Sequence, residues 1–215
     1  MKKSVTIFVF TLFSFFPHVL NSQSYIYETV IEGLSSPVEF TFLQNNNLII
    51  TQKGGLSIVY NLNGQFVSNF WNFTDSTFNN AECGLLGVCK DPAFNSNHYI
   101  YFFYIHLTPR GIRVVRLTEN NNTGINPFIV FENYPGTLAN IHKGGNIRFG
   151  SEGKLYISIG NNASDANSQN LTNPHGKILR INSNGTIPTD NPFYDDGNPL
   201  TGNDDRIWAY GLRNS

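Results

Sequence analysis

At 215 residues, with 14 Lys and Arg against 15 Asp and Glu, the chain carries a formal net charge of -1 and so lacks the basic footprint of a nucleic-acid or anionic-membrane binder. Only 13% of residues are charged while 14% are aromatic, and there are 19 glycines. That balance favours an all-β chain of aromatic strands and tight turns, long enough to bury a sizeable core.

Lys2 and Lys3 precede the apolar run 5–16, then Pro17 and a short polar tail, which is the three-part layout of a secretory signal peptide over residues 1–24. Cleavage is expected after Ser22 or Ser24, leaving residues 25–215 as the mature domain. The run is shorter than the roughly 20 apolar residues that a membrane span requires, and no later segment reaches that length, so the product is expected to be secreted without a membrane span. Five Asn-x-Ser/Thr acceptors, at Asn72, Asn121, Asn162, Asn170 and Asn184, lie in polar, turn-like stretches and are the glycosylation candidates.

Along the chain, short alternating runs are punctuated by Gly, Asn, Asp and Pro, with no sustained helical period. Residues 38–43 form a first strand, 44–47 a turn, 48–53 a second strand, and 56–60 a third after Gly54 and Gly55. A looser copy follows with strands at 87–89, 99–104, 112–117 and 128–131. The third copy has strands at 146–149, 155–159 and 177–182, with a turn at 150–153 and an Asn184-Gly185 close. Three copies spaced by about 50 to 60 residues, each of about four strands, are the signature of β-propeller blades, which stack because a single small sheet cannot bury both of its faces. Three blades do not close a ring, so the chain is expected to be the first half of a larger propeller, with Trp208-Ala209-Tyr210 opening a fourth blade.

The stretch 142–161 is the expected anchor of any chemistry. It sets His142 and the pair Gly144-Gly145 before one strand, a Glu152-Gly153 turn after it, and a second strand ending at Gly160-Asn161, so the imidazole lies at a strand mouth. No helix follows the glycine pair, which excludes a phosphate cradle. Cys83 and Cys89 would lie about 20 Å apart on an extended strand, beyond the ~7 Å that a disulfide tolerates, unless residues 84–87 turn the chain; both states remain open. His98, His106 and His175 stand singly, without zinc-ligand spacing, and read as solvated or hydrogen-bonded structural residues. Asp195, Asp196, Asp204 and Asp205 lack the alternation of a dedicated calcium loop and read as solvated turn carboxylates.

Four ordered blocks resemble the glucose/sorbosone dehydrogenase family, which includes the soluble quinoprotein glucose and aldose sugar dehydrogenases. They are Glu82-Cys83-Gly84-Leu85-Leu86-Gly87-Val88, the stretch 142–161, residues 176–181 with 185–193, and Trp208-Ala209-Tyr210-Gly211-Leu212-Arg213-Asn214. The resemblance implies a six-bladed propeller that binds pyrroloquinoline quinone with calcium and oxidises aldoses at the anomeric carbon, with hydride passing to the quinone. It makes His142 the general base, a role that suits an imidazole because its ordinary pKa of about 6.5 leaves it able to accept a proton near neutral pH. Arg213 and Asn214 match the family's cofactor-binding pair, and a guanidinium fork can hold quinone or carboxylate oxygens. Glu82 and Asn161 fall at channel-lining positions beside the cofactor. The calcium ligands and further basic cofactor residues are implied to lie beyond Ser215, so no metal ligand is assigned within the chain and the quinone site is expected to be incomplete in it.

Three departures stand out. Ile141 replaces an aspartate of the glucose-oxidising members, Asn161 replaces a common aspartate, and Cys83 replaces a frequent arginine. An aspartate bonded to an imidazole fixes its tautomer and raises its basicity, so the neutral Asn161 is expected to weaken the base. The resemblance also admits a second reading, a non-catalytic extracellular propeller of the kind the Hedgehog-interacting proteins use to bind other proteins. The expected partner is thus a small sugar or an extracellular protein.

Overall fold

A computed structural model describes residues 25–44, 46–135 and 138–215. The leader expected at 1–24 lies outside the described residues. The chain builds three four-stranded antiparallel sheets, each with its strands in sequence order. The first holds β1 (Pro37–Phe42), β2 (Leu48–Gln52), β3 (Leu56–Tyr60) and β4 (Phe66–Asn72). The second holds β5 (Leu85–Lys90), β6 (Tyr99–His106), β7 (Gly111–Asn120) and β8 (Thr123–Asn133). The third holds β9 (Gly144–Phe149), β10 (Lys154–Ile159), β11 (Lys177–Asn182) and β12 (Ile207–Tyr210). These are the three propeller blades that the repeat implies.

Two strand assignments differ from the sequence reading. Phe66–Asn72, left unassigned between the first and second copies, is the outer strand of the first blade; polar Ser68 and Asn69 interrupt its apolar pattern, and only Phe70 is buried. Trp208-Ala209-Tyr210 does not open a fourth blade. It pairs with β11, Lys177 opposite Tyr210 and Ile178 opposite Ala209, as the outer strand of the third. A long polar loop separates the two strands in sequence, and strand periodicity carries no information about which partner a strand will take.

The middle blade explains the packing. β6 reads Tyr-Ile-Tyr-Phe-Phe-Tyr-Ile-His, an apolar run without alternation, because both faces of its sheet are covered. Side chains of successive strand residues point to opposite faces. Accordingly Ile100, Phe102 and Tyr104 enter the core shared with the first blade, where they meet Ile49, Val59, Phe70 and Phe73. Tyr101, Phe103 and Ile105 enter the core shared with the third, where they meet Ile147, Leu155, Ile157 and Leu179. By contrast β10, in the third blade, buries only Leu155, Ile157 and Ile159. Full burial of each large side chain contributes roughly 1.5–3 kcal/mol, which makes the two inter-blade cores the main source of stability.

The first strands of the blades lie side by side, β1 against β5 and β5 against β9. Close approach is licensed at Gly87 and Gly145: a Cβ on Gly87 would stand 2.2 Å from the Gly145 carbonyl oxygen, and one on Gly145 would stand 2.6 Å from the Leu86 Cβ. Glu39 of β1 pins all three inner strands, accepting the Val88 N–H of β5 at 3.3 Å and the Arg148 guanidinium of β9. The strand mouths at one end of this inner row carry the site.

Candidate active site at the mouth of the third blade

His142 immediately precedes β9 and adopts a left-handed backbone, φ +55, that turns the chain into the strand. Its side chain is buried, 8% exposed. At the far end of the β9–β10 hairpin, Asn161 follows β10 and is wholly buried. The antiparallel hairpin returns the end of β10 to the start of β9, and this sets His142 Nδ1 2.8 Å from Asn161 Oδ1.

Two further segments converge on this pair. From the loop before β5, Glu82 Oε2 accepts the His142 backbone N–H at 2.5 Å. From the segment after β12, the Asn214 amide donates to Glu82 Oε2 at 3.1 Å while its oxygen accepts the Gly144 N–H at 3.0 Å. The Asn161 N–H donates to the Arg213 carbonyl at 2.7 Å. Glu82, His142, Asn161, Arg213 and Asn214, the five site residues expected from sequence, therefore lie around one mouth. The Arg213 side chain is exposed and, among the described residues, makes no hydrogen bond or ion pair. Ile141 is 42% exposed beside the imidazole.

Beneath the mouth lie residues that sequence reasoning left aside. The short helix α2 (Asp165–Gln169) follows Asn161, and Asp165 Oδ1 accepts the Asn161 amide Nδ2 at 2.9 Å. Ser168 ties α2 to the segment after β12, its hydroxyl donating to the Leu212 carbonyl at 2.7 Å and its carbonyl accepting the Gly211 N–H. Lys177 is fully buried; its ammonium donates to the carbonyls of Asn167 and His175 at 2.7 Å and of Ser168 at 3.3 Å, and desolvation lowers its pKa to about 8. Lys143 is buried too, donating to Asn162 Oδ1 at 2.9 Å, with its pKa likewise lowered to about 8 by desolvation. Buried His175 is not the solvated residue that was one of its readings: desolvation first, and then the nearby Lys143 and Lys177 cations, lower its pKa to about 4. A lysine in a polar stretch gives no sequence signal of burial, because lysines are almost always solvent-facing.

Cys83 and Cys89 are free and buried, so the turn that would join them does not form. Desolvation raises both thiol pKa values. The four aspartates of the loop before β12 divide: Asp195 and Asp196 are exposed turn carboxylates as expected, but Asp204 and Asp205 are fully buried. Asp204 pairs with Arg206 at 2.7 Å. Asp195, Asp196 and Asp205 bring carboxylate oxygens within 4.8 Å of one another, away from the mouth. Loop donors reach them, Asn198 N–H and Thr201 Oγ1 on Asp196, Asn203 N–H on Asp195, and Asp195 N–H on Asp205 Oδ1, while the buried Asp205 Oδ2 has no hydrogen-bond partner among the described residues. Of the glycosylation candidates, Asn72, Asn121, Asn170 and Asn184 are exposed and Asn162 is half-buried.

The mouth of the third blade thus gathers an imidazole, a carboxylate, two amides and a guanidinium that has no partner among the described residues. The chain is a member of the glucose/sorbosone dehydrogenase family, whose model matches residues 34–215. It is 28% identical over 193 residues to the aldose sugar dehydrogenase YliI of Escherichia coli, covering 87% of this chain and 51% of that protein. It is 21% identical over 204 residues to quinoprotein glucose dehydrogenase B of Acinetobacter calcoaceticus, covering 80% of this chain and 42% of that one. The structure of the PQQ-bound form of aldose sugar dehydrogenase from Streptomyces coelicolor superposes with a TM-score of 0.75 at 26% identity, covering 88% of this chain and 55% of that chain. The chain spans about half the length of the curated relatives it matches.

The mouth fits one side of a carboxylated quinone such as pyrroloquinoline quinone. Arg213 offers an uncommitted two-pronged donor for a carboxylate or quinone oxygen, and His142 Nε2 makes no hydrogen bond among the described residues. Glu82 is occupied by the His142 and Asn214 donors, so the described residues at the mouth do not assemble a calcium-ligand set.

Proposed function

We propose that the protein is a quinoprotein sugar dehydrogenase that oxidises an aldose at its anomeric carbon, with His142 as general base. The observation that carries this reading is the buried His142 imidazole, oriented by Asn161 at a blade mouth beside Arg213 and Asn214, in a chain of this family. When bound, pyrroloquinoline quinone supplies the two-electron acceptor for the hydride that leaves the anomeric carbon. Within this chain, Arg213 and Asn214 would hold the cofactor's oxygens and His142 would take the proton of the anomeric hydroxyl. Glu82 fixes the His142 backbone, so the imidazole meets the substrate without a conformational search. Calcium is proposed to join the cofactor through residues outside this chain. Two of the matching relatives are named as sugar dehydrogenases, which supports a sugar as partner over an extracellular protein.

We infer from the basic, apolar and polar order of residues 1–24 that the protein is secreted, and from the exposure of Asn72, Asn121, Asn170 and Asn184 that these are the favoured glycan acceptors. The full-length protein, reconstituted with pyrroloquinoline quinone and calcium, is expected to reduce an artificial electron acceptor when given an aldose. Folded, cofactor-loaded protein that turns over no aldose would refute the proposal.

A further inference from the structure

We propose that Asp165 is a positioning residue that acts through the Asn161 amide to hold His142 in the tautomer protonated at Nδ1, leaving Nε2 as the proton acceptor. The catalytic consequence rests on the reading of His142 as a base; the tautomer assignment does not.

A solvent-facing carboxylate is ionised at neutral pH and can only accept hydrogen bonds. Asp165 is exposed, and its Oδ1 lies 2.9 Å from the Asn161 side chain, so the end of the amide turned towards it must be the NH2 group. The amide oxygen then faces His142 Nδ1 at 2.8 Å. That oxygen also can only accept, so Nδ1 carries the hydrogen. A neutral imidazole has one N–H, and Nε2 is left with its lone pair.

Asn161 alone would not make this choice. An amide presents a donor at one end and an acceptor at the other, and the flipped amide would donate to Nδ1 and drive the proton to Nε2, where it would block the base. Flipping would also set the amide oxygen against the Asp165 carboxylate, acceptor against acceptor. The carboxylate therefore breaks a tie that the asparagine leaves open.

Both ends of this chain of hydrogen bonds are anchored. Asn161 is held by its N–H on the Arg213 carbonyl and by its own carbonyl, which accepts the Asn167 amide at 3.0 Å. The helix that carries Asp165 is held from below by Lys177 and from the side by the Ser168 bond to Leu212. A carboxylate one residue removed from the ring thus does the orienting work of a carboxylate placed directly on it. The sequence-based expectation of a weakened base at Asn161 is narrowed: the tautomer is kept, and only the direct charge on the ring is given up.

The test is long-range 1H–15N NMR of the histidine-labelled chain, at a pH where imidazoles are neutral. His142 is expected to show a pyrrole-like Nδ1 and a pyridine-like Nε2. In Asp165→Asn the residue at 165 can present either an oxygen or an NH2 group, so the Asn161 amide is free to flip and a mixture of tautomers is expected; Asp165→Ala should give the same. An Nε2–H tautomer in the unsubstituted chain would overturn the proposal, as would a pure Nδ1–H tautomer in both variants. The unsubstituted spectrum decides even where a variant does not fold. No quinone or sugar enters the measurement, so an intact tautomer in a protein that turns over no aldose would refute the proposed activity alone.

Discussion

The mouth around His142 and the acidic loop before β12 both gather carboxylates and amides on the third blade, yet they are held in opposite ways. In the loop, Asp196 is capped by Asn198 and Thr201, Asp195 by Asn203, and Asp205 by Asp195, all partners within ten residues. At the mouth, Glu82 reaches His142 across 60 positions and Asn214 across 132, while Gly144 meets Asn214 across 70. Local capping is what any polar turn does for itself, since Asp and Asn side chains readily bond backbone N–H groups one or two residues on. Groups that only blade packing can bring together are a constructed arrangement, and on that ground the proposed binding chemistry is assigned to the mouth.

The largest effect expected from that contrast comes from acid. Beneath the mouth, His175 has its pKa lowered to about 4 by desolvation and by Lys143 and Lys177, with the Asp204 charge opposing the shift. The unfolded chain, with an ordinary imidazole, takes up this proton near pH 6.5 while the folded chain does not. The contribution of His175 to stability is therefore full above about pH 6.5 and falls by about 3 kcal/mol as the pH drops to 4. Denaturant titrations across that range are expected to show the loss, and His175→Gln is expected to flatten it. An unchanged slope in the variant would show that His175 is not the group responsible.

Next in size is Asn161→Leu, which leaves the buried His142 Nδ1 without its partner and is expected to destabilise by about 2 kcal/mol in chemical denaturation. The two buried lysines act at the alkaline end. Because their folded pKa values are about 8, below the ordinary lysine value, the unfolded chain binds more protons than the folded chain above pH 8. Each lysine should therefore add about 1 kcal/mol of stability between pH 8 and 9. Above about pH 9 the rise is opposed by Cys83 and Cys89, whose raised folded pKa values make the unfolded chain the first to lose thiol protons. Lys177→Met should remove part of the rise. Smallest of all, Asp196→Asn in the exposed loop should change stability by no more than about 0.5 kcal/mol, and a larger loss would break the contrast between loop and mouth.

Much of this was legible in the amino-acid sequence. Alternation and glycine punctuation located eleven of the strands of the three blades in their correct order, counting Trp208-Ala209-Tyr210, and ordered motifs pointed to Glu82, His142, Asn161, Arg213 and Asn214, which the fold gathers. The blade to which β12 belongs was not legible, because its partner β11 lies across a long loop and pairing is settled in three dimensions. Nor was β4, where polar residues on an exposed outer strand blur the alternation. The burial of Lys143 and Lys177 was not legible, because burial of a polar group depends on partners, here backbone carbonyls and an asparagine, that sequence does not display. Asp165 sits among asparagines and serines in a polar stretch, and its importance appears only once the Asn161 amide is seen between it and the imidazole.

The most direct measurement compares the full-length protein with its His142→Ala variant, both folded and both loaded to the same level with pyrroloquinoline quinone and calcium, in aldose-dependent reduction of an electron acceptor. General-base catalysis is worth about 10²- to 10⁴-fold, and a loss of that size in kcat with the cofactor still bound is the expected result. Equal turnover by the two proteins at equal cofactor loading would contradict the assignment of His142 as the base.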